Sequence, residues 1–319
     1  MNGTLGKERK TMIDLTLIGT GALQPLPDRA LASAAITTSG RVLLFDCGEG
    51  TQSAAKRAGV SLVKIDVIAL THYHGDHTYG LPGLLQSMGM GGRAEPVIII
   101  GPQGLEEAMI PFQMLCPYLP FELKLMEVEN KPVSMQQLHP AWPANAVLQS
   151  FPTAHRVSSQ GYRFDLTRSG KFRPEKAKAL GVPVAEWKNL QHGESVCVND
   201  ILIHPNQVMD DARRGISIVY TGDTAYCGDI VQSASDADVI ICEATYGEND
   251  QQTLAEEHGH MTFAQAAQLA RDSQAHSLWL THYSPMIDEP ENHLENAKDI
   301  FQNVVCGSDG LKETLCYAD

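Results

Sequence analysis

The chain predicts an α/β fold of sheets covered by helices, and three observations carry that reading. Five short apolar runs each end in a polar or glycine-rich mark. Helical patterns fall between them at both ends of the chain, around a strand-rich centre. One of the marks packs three imidazoles and a carboxylate into six residues, His72 to His77, directly after the run Ile65-Asp66-Val67-Ile68-Ala69-Leu70.

In chain order, Met12 opens a strand-like stretch, Ile13-Asp14-Leu15-Thr16-Leu17-Ile18. Residues 1–11 before it are polar and basic with no apolar stretch, so they are no secretory signal and are expected to be a disordered extension. The five runs follow. Val42-Leu43-Leu44-Phe45 precedes Asp46-Cys47-Gly48-Glu49-Gly50, and Val67-Ile68-Ala69-Leu70 precedes Thr71-His72. Ile216 to Tyr220 precedes Thr221-Gly222-Asp223-Thr224, Val239-Ile240-Ile241-Cys242 precedes Glu243, and Ser277-Leu278-Trp279-Leu280 precedes Thr281-His282. Short β-branched runs bounded this way read as buried strands. Helices are expected over residues 53–58, 262–273 and 291–304, with Thr262 as N-cap and Phe263, Ala266, Ala267 and Ala270 at helical spacing. One domain over residues 12–319 accommodates all of this, with residues 165–200 as a short basic insertion.

Composition sets bounds. The 319 residues are 43% hydrophobic, enough for a large core. No segment approaches the roughly 18 consecutive apolar residues of a membrane span, so no membrane partner is expected. Seven cysteines without a Cys-x-x-Cys pair argue for reduced, mostly buried thiols in a cytoplasmic protein, and against a disulfide framework. A net charge of −14 speaks against a nucleic-acid ligand, but the charge is unevenly distributed. Between Arg156 and Lys188, eight basic residues face three acidic ones, a surplus of five. A solvated amphipathic helix over residues 174–180 explains part of that window equally well.

The chemistry sits at the strand ends, where open α/β sheets place their ligands. Neutral imidazole nitrogen and carboxylate oxygen are the donors a zinc-like ion selects, and alternate positions on one turn can face two neighbouring centres. A two-metal site needs more ligands than one turn supplies. Asp223 follows Tyr220-Thr221-Gly222, His282 ends the Trp279-Leu280 run, and His155 lies in Phe151-Pro152-Thr153-Ala154-His155. The other use of Asp223 is a turn or helix cap, and of His155 and His282 a satisfied buried histidine. Leu70-Thr71-His72-Tyr73 and Leu280-Thr281-His282-Tyr283 share four residues, as two halves presenting matching strand ends to one cleft would.

The series Asp46, His72-x-His74-x-Asp76-His77, His155, Asp223, His282 resembles the five motifs of the metallo-β-lactamase superfamily, in order, over nearly the whole chain. Within it the chain is most similar to the ribonuclease Z family of tRNA 3′-processing endonucleases. Leu17-Ile18-Gly19-Thr20-Gly21-Ala22, Phe45-Asp46-Cys47-Gly48-Glu49-Gly50-Thr51-Gln52 and Gly80-Leu81-Pro82-Gly83-Leu84-Leu85 carry that likeness, together with residues 158–164, Glu243 and His260.

The resemblance implies an αββα sandwich, two sheets flanked by helices, with the site at their edge. It implies two divalent ions, zinc first, with manganese or iron also compatible. One ion takes His72, His74 and His155; the other takes Asp76, His77 and His282; Asp223 bridges. Asp46 stands behind the ligands and fixes their loop by hydrogen bonds. Two ions about 3.5–4 Å apart clamp the attacking and leaving oxygens of a phosphodiester, and bound water reaches a pKa near about 7. Asp76 can take that water's proton. His260 matches the family's acid, and Glu243 would orient it and raise its pKa. His258 is read as a solvated surface residue and stays out of the mechanism. The implied partners are a tRNA precursor, or a small phosphodiester, and a second copy of the chain in a homodimer. Met88, Met90 and Met114 suit such an interface or the core equally well.

The chain departs from the family pattern in four places. Cys242-Glu243-Ala244-Thr245 stands for His-Glu-Ala-Thr, and His260-Met261-Thr262 for His-Ser-Thr. Pro25-Leu26-Pro27-Asp28-Arg29-Ala30 lacks the usual Arg-Asn pair, and Leu180-Gly181-Val182-Pro183 continues without the glycine-proline pattern of the family's tRNA-gripping arm. Hydrolases of small phosphodiesters, sulfate esters or thioesters resemble the same ligand set. Glu243 and His260 favour a phosphodiester, since a thiolate leaves without a strong acid. A β-lactamase is disfavoured, because Asp223 replaces that branch's metal-bound cysteine.

Overall fold

The structure, a computed structural model, describes residues 12–318, and the expected extension over residues 1–11 lies outside the described residues. Contact density divides the chain into two compact units. The larger comprises residues up to Asp165 and Ile216–Tyr317.

Two seven-stranded sheets organise the fold. The first runs in the order Lys312–Cys316, Met12–Gly19, Ser33–Thr38, Arg41–Phe45, Ile65–Ala69, Val97–Gly101 and Leu123–Glu127. Its pairs are antiparallel as far as Arg41–Phe45 and parallel beyond it. The second runs Val304–Cys306, Leu278–Thr281, Val239–Glu243, Arg213–Tyr220, Gln160–Arg168, Ala146–Pro152 and Pro132–Ser134, and its first four strands are parallel. The parallel strands Arg41–Phe45, Ile65–Ala69, Val97–Gly101 and Val239–Glu243 are buried at every position, which is why they read as continuous apolar runs and not as alternation.

Helices cover the outer face of each sheet. Thr51–Arg57, Leu81–Met90 and Leu105–Leu115 close a core on the first, around Leu44, Ile68, Leu84 and Met109. Gly228–Ser233, Phe263–Asp272 and Leu294–Lys298 close one on the second, around Val219, Ile240, Phe263 and Leu280. The inner faces meet through large rings. Phe45 stacks on Tyr220 at 5.1 Å between centroids, and Tyr162 sits 5.9 Å from Phe45 while its hydroxyl donates to Leu70 O at 2.6 Å. Such a ring pair contributes about 0.5–1.5 kcal/mol beyond the area it buries. The architecture is the αββα sandwich expected from the resemblance.

The helix Phe263–Asp272 starts as the sequence specifies. Thr262 Oγ1 accepts from Gln265 N at 3.2 Å, and Gln265 Oε1 accepts from Thr262 N at 3.0 Å, a reciprocal cap. The helix expected over residues 291–304 is shorter. A single 3-10 turn, Pro290–His293, leads into Leu294–Lys298, and Val304–Cys306 leaves to pair in parallel with Leu278–Thr281. An open sheet edge outweighs helical periodicity for two β-branched residues. Met88 is buried in the first sheet's helical core, so it cannot serve an interface, whereas Met90 and Met114 are exposed. The seven cysteines are free thiols, four of them buried.

The second unit, Leu166–Gly215 with Ala318, holds its own core of Ala177, Val182, Leu190, Val196, Ile203 and Val208. Pro174–Ala179 and Trp187–Gln191 are its helices. Val196–Val198 and Ile201–Ile203 form a hairpin turned by Asn199 and Asp200, both at positive φ. The insertion expected over residues 165–200 overlaps this unit. Among the described residues no helix is long and apolar enough to cross a membrane.

Candidate metal centre

All the candidate residues lie in the larger unit, and all but His260, which sits between the helices Gln252–His258 and Phe263–Asp272, lie at or just past the carboxyl end of a strand. Arg41–Phe45 delivers Asp46 and Ile65–Ala69 delivers the turn from His72 to His77. Ala146–Pro152 leads to His155, Arg213–Tyr220 to Asp223, Val239–Glu243 ends on Glu243, and Leu278–Thr281 leads to His282. Gly222 makes the approach of the two halves possible. Its φ is +61, and a Cβ there would lie 2.6 Å from the Cβ of Thr71. Asp46 and His282 also adopt positive φ, +54 and +59, conformations that cost about 1–3 kcal/mol each and concentrate at functional sites.

The ring nitrogens are sorted by their outward partners. His77 Nδ1 donates to Asp46 Oδ2 at 2.8 Å, and His155 Nδ1 donates to Gly259 O at 2.9 Å. Thr71 Oγ1 donates to Asp46 Oδ2 at 2.9 Å and accepts from His72 Nδ1 at 3.0 Å. Thr245 Oγ1 likewise donates to Glu243 Oε2 at 2.9 Å and accepts from His282 Nδ1 at 3.0 Å. With each Nδ1–H directed outward, the Nε2 lone pairs of His72, His77, His155 and His282 face inward.

Two groups result, each with its ligand atoms within 4.8 Å of one another: His72, His74, His155 and Asp223; and Asp76, His77, Asp223 and His282. Asp223 belongs to both. Its Oδ1 lies 3.3 Å from His77 Nε2 and 3.1 Å from His282 Nε2, its Oδ2 3.7 Å from His72 Nε2. The structure thus brings together all seven residues expected from the resemblance as ligands.

Electrostatics tests whether cations fit. Asp223 Oδ1 is buried without a hydrogen-bond partner. His72 Nε2 lies 2.9 Å from His74 Nδ1, and His77 Nε2 lies 3.3 Å from His282 Nε2. Lone pairs facing each other and an anionic oxygen repel unless positive charge stands between them. Burial works against a charge on His77, yet Asp223 and Asp46 raise its pKa well above the ordinary value. Burial likewise opposes a charged Asp223, but His282 and His77 hold its carboxyl well below the usual range. Burial carries His72 well below the ordinary imidazole value. The carboxylates therefore draw positive charge into the cluster: His77 takes it up, whereas burial keeps His72 from doing so.

A second acidic cluster provides the contrast. Asp66 lies near Glu95 and His139, also at ligand distances, but Arg41 and Arg93 pair with its carboxylate, and Trp142 Nε1 donates to it at 2.9 Å. That cluster carries its own cations. Among the described residues Asp76 and Asp223 have only imidazoles as ion-pair partners. The donor set fits two divalent ions.

Beside the seven stands a second constellation. Glu243, 1% exposed, accepts His260 Nδ1–H on Oε1 at 2.8 Å. The same oxygen accepts Thr224 N, and Oε2 accepts Thr245 N and Met261 N. Burial opposes a charged His260, but the Glu243 carboxylate outweighs it and raises the imidazole to about 9. The ring stacks 5.6 Å from His282, in a cavity of about 610 Å³ shared with His74, Asp76, His155 and Asp223.

Several contributors escaped the sequence reading. Leu23 donates to Asp76 Oδ2 at 2.9 Å through its backbone N–H, which side-chain chemistry does not announce, and Thr71 and Thr245 set ring tautomers. The shared Leu-Thr-His-Tyr quartet pointed at Thr71, but its counterpart Thr281 makes no such bond, and Thr245 takes the role instead. His258 is a correction. It is half-buried, lines the cavity and holds Tyr246 Oη at 2.6 Å on its Nδ1, so it is no solvated surface residue.

Known proteins give this geometry a family. Residues 29–114 match the Metallo-beta-lactamase superfamily and residues 207–283 the Beta-lactamase superfamily domain. A ribonuclease Z from Lachnospira eligens is 41% identical over 308 residues, covering 97% of this chain and 99% of its own length. The chain belongs to the ribonuclease Z family. A second member, from Clostridium botulinum, is 40% identical over 97% of this chain and 100% of its own. Among solved structures, human tRNase Z, short form, is 25% identical with a TM-score of 0.67, over 96% of this chain and 100% of its own. The metallo-beta-lactamase fold protein YhfI from Bacillus subtilis matches at the same TM-score with 20% identity, over the same shares, and speaks for the fold alone. Family membership makes the protein a metal-dependent hydrolase with a dimetal site.

Proposed function

We propose that the protein cleaves tRNA precursors endonucleolytically at their 3′ side. The carrying observation is that His260, held by the buried Glu243, lines the same cavity as the ligand residues His74, Asp76, His155 and Asp223, in a chain full-length similar to ribonuclease Z. His72, His74 and His155 would hold one divalent ion, Asp76, His77 and His282 the other, and Asp223 both. When bound, the ions neutralise phosphate charge and acidify water. Asp46 and Thr245 keep Nδ1–H of His77 and His282 turned outward, so both rings offer Nε2 inward. Leu23 N–H steadies Asp76, which takes a proton from the attacking water. Glu243 holds the Nδ1–H of His260 and keeps the ring charged at neutral pH, so its Nε2–H can be given to the leaving oxygen.

Zinc is the proposed ion, although nitrogen and oxygen donors also accept manganese or iron, and elemental analysis of the purified protein decides. The same reading proposes a cytoplasmic homodimer, which light scattering on the purified protein tests for assembly. It also proposes one catalytic domain, in which the unit Leu166–Gly215 grips RNA through the exposed Lys171, Lys176 and Lys178.

The test is a side-by-side incubation with a 3′-extended tRNA precursor and with bis(p-nitrophenyl) phosphate. A single cut at the 3′ boundary of the tRNA body is expected. Rapid turnover of the small diester beside an uncut precursor overturns the proposal in favour of a small-ester hydrolase.

A further inference from the structure

The turn from His72 to His77 is followed by a tyrosine that neither the ligand cluster nor the acid pair employs, and it contrasts with another tyrosine inside the turn. Tyr73 packs against the first sheet's helical core, and its hydroxyl donates to Pro102 O at 2.5 Å. Tyr79 is 68% exposed, and no hydrogen bond from its hydroxyl to a described residue is present. It nevertheless does not hang free. Its backbone N–H bonds Gly75 O at 2.8 Å, capping the turn Gly75–Thr78. A Cβ on Gly75 would lie 2.3 Å from the Tyr79 ring, so the ring rests on the bare α-carbon between His74 and Asp76. Any other residue at position 75 would lift it off.

That seat places an aromatic ring among the residues lining the 610 Å³ cavity, with most of the ring uncovered. Leu23 lines the same cavity, 67% exposed and held at φ +63. A large apolar ring anchored at the mouth of a pocket floored by imidazoles and carboxylates has one matching chemistry in a nucleotide substrate. The phosphate belongs on the floor and the π-face of the base on the ring.

We propose that Tyr79 contacts substrate by stacking on the nucleobase beside the scissile phosphate, and so makes the site prefer RNA over a bare phosphodiester. This rests on the tRNA-precursor reading. The ring, not the hydroxyl, does the binding.

The experiment is a cycle between protein and RNA. Wild type, Tyr79→Ala, Tyr79→Leu and Tyr79→Phe are assayed on a natural precursor and on precursors abasic on either side of the scissile bond. Tyr79→Ala and Tyr79→Leu should lower kcat/KM by about tenfold to hundredfold, mainly through KM, at unchanged metal content, while Tyr79→Phe stays within about twofold. An abasic site on one side should penalise wild type by a similar factor and the Ala and Leu variants by less than about twofold. Kd values for a precursor with a non-cleavable phosphonate at the scissile position should follow the same order. Additive losses on both sides, or a Phe variant as poor as Ala, overturn the stacking. A wild type that leaves the natural precursor uncut sinks the tRNA reading and this inference together, whereas normal cutting without coupling sinks the inference alone.

Discussion

Asp46 and Glu243 occupy equivalent places in the two sheets and do different things. Each is a buried carboxylate at the end of a parallel strand, each accepts an imidazole Nδ1–H at 2.8 Å, and each also accepts from a threonine hydroxyl. The difference lies in where the far side of the ring points. His77 turns Nε2 toward Asp223 Oδ1 at 3.3 Å, inside the cluster of ligand atoms. His260 stands over His282 on the cavity wall. In the proposed mechanism one carboxylate would prepare a lone pair for a cation, the other a proton for a leaving group. Hydrogen bonding to a carboxylate does not define a histidine's job; the field on its opposite nitrogen does.

The severest way to break that comparison is to remove what the first region serves. Asp223→Ala should abolish precursor cleavage and lower the bound-ion stoichiometry below two, a loss larger than the about 10–100-fold typical of residues that support ligands. Normal ion content in this variant would disprove the shared-ligand role. His260→Ala should lower kcat by about 10²–10⁴-fold with both ions retained, and ion loss there would erase the distinction between the two regions.

Asp46→Asn against Glu243→Gln is the direct comparison. The first should weaken ion affinity by about 10–100-fold, and the second should leave the ion content of the purified protein unchanged. The pH profile then sharpens the difference. Glu243 raises His260 above the ordinary 6.5 to about 9, so the ring is charged below that pH and loses its proton as pH rises through it. An acid is lost on that limb. Wild-type kcat should therefore fall near pH 9, and Glu243→Gln should move the fall to lower pH, while Asp46→Asn leaves its position unchanged. The smallest effect belongs to Thr245→Val, whose hydroxyl serves both Glu243 and His282. About tenfold weaker ion binding and a slight shift of the alkaline limb are expected, measured by ion titration and by the same profile.

The two regions also differ in how plainly they could be read from residues. The first half of the site is local. His72, His74, Asp76 and His77 lie in one turn after one buried strand, so composition and position announced it. The second half is assembled from His155, Asp223, Glu243, His260 and His282, none more than an ordinary polar residue in its own neighbourhood. Only the ordered series, resembling a known family, joined them. Where tertiary pairing competes with local preference, periodicity misled: Val304 reads as the end of a helix and becomes the start of a strand because an edge of the second sheet stood open. The Leu-Thr-His-Tyr quartet does bring two strand ends to one site, but the likeness stops at the histidines, since Thr71 orients His72 while Thr281 orients nothing.

By itself the sequence determined the layers and the currency of the site. Continuous β-branched runs must be buried on both faces, and imidazoles with carboxylates at strand ends choose divalent cations over other ligands. Tertiary structure decided which nitrogen of each ring faces inward, because that depends on Asp46, Thr71, Thr245 and the Gly259 carbonyl, all set by distant chain segments. It also decided that Asp66 meets two guanidiniums while Asp223 meets none, and that Tyr79 lies open over the cavity while Tyr73 is packed away. Residue type fixes what a group can bind. Only the packing around it fixes what it is left free to bind.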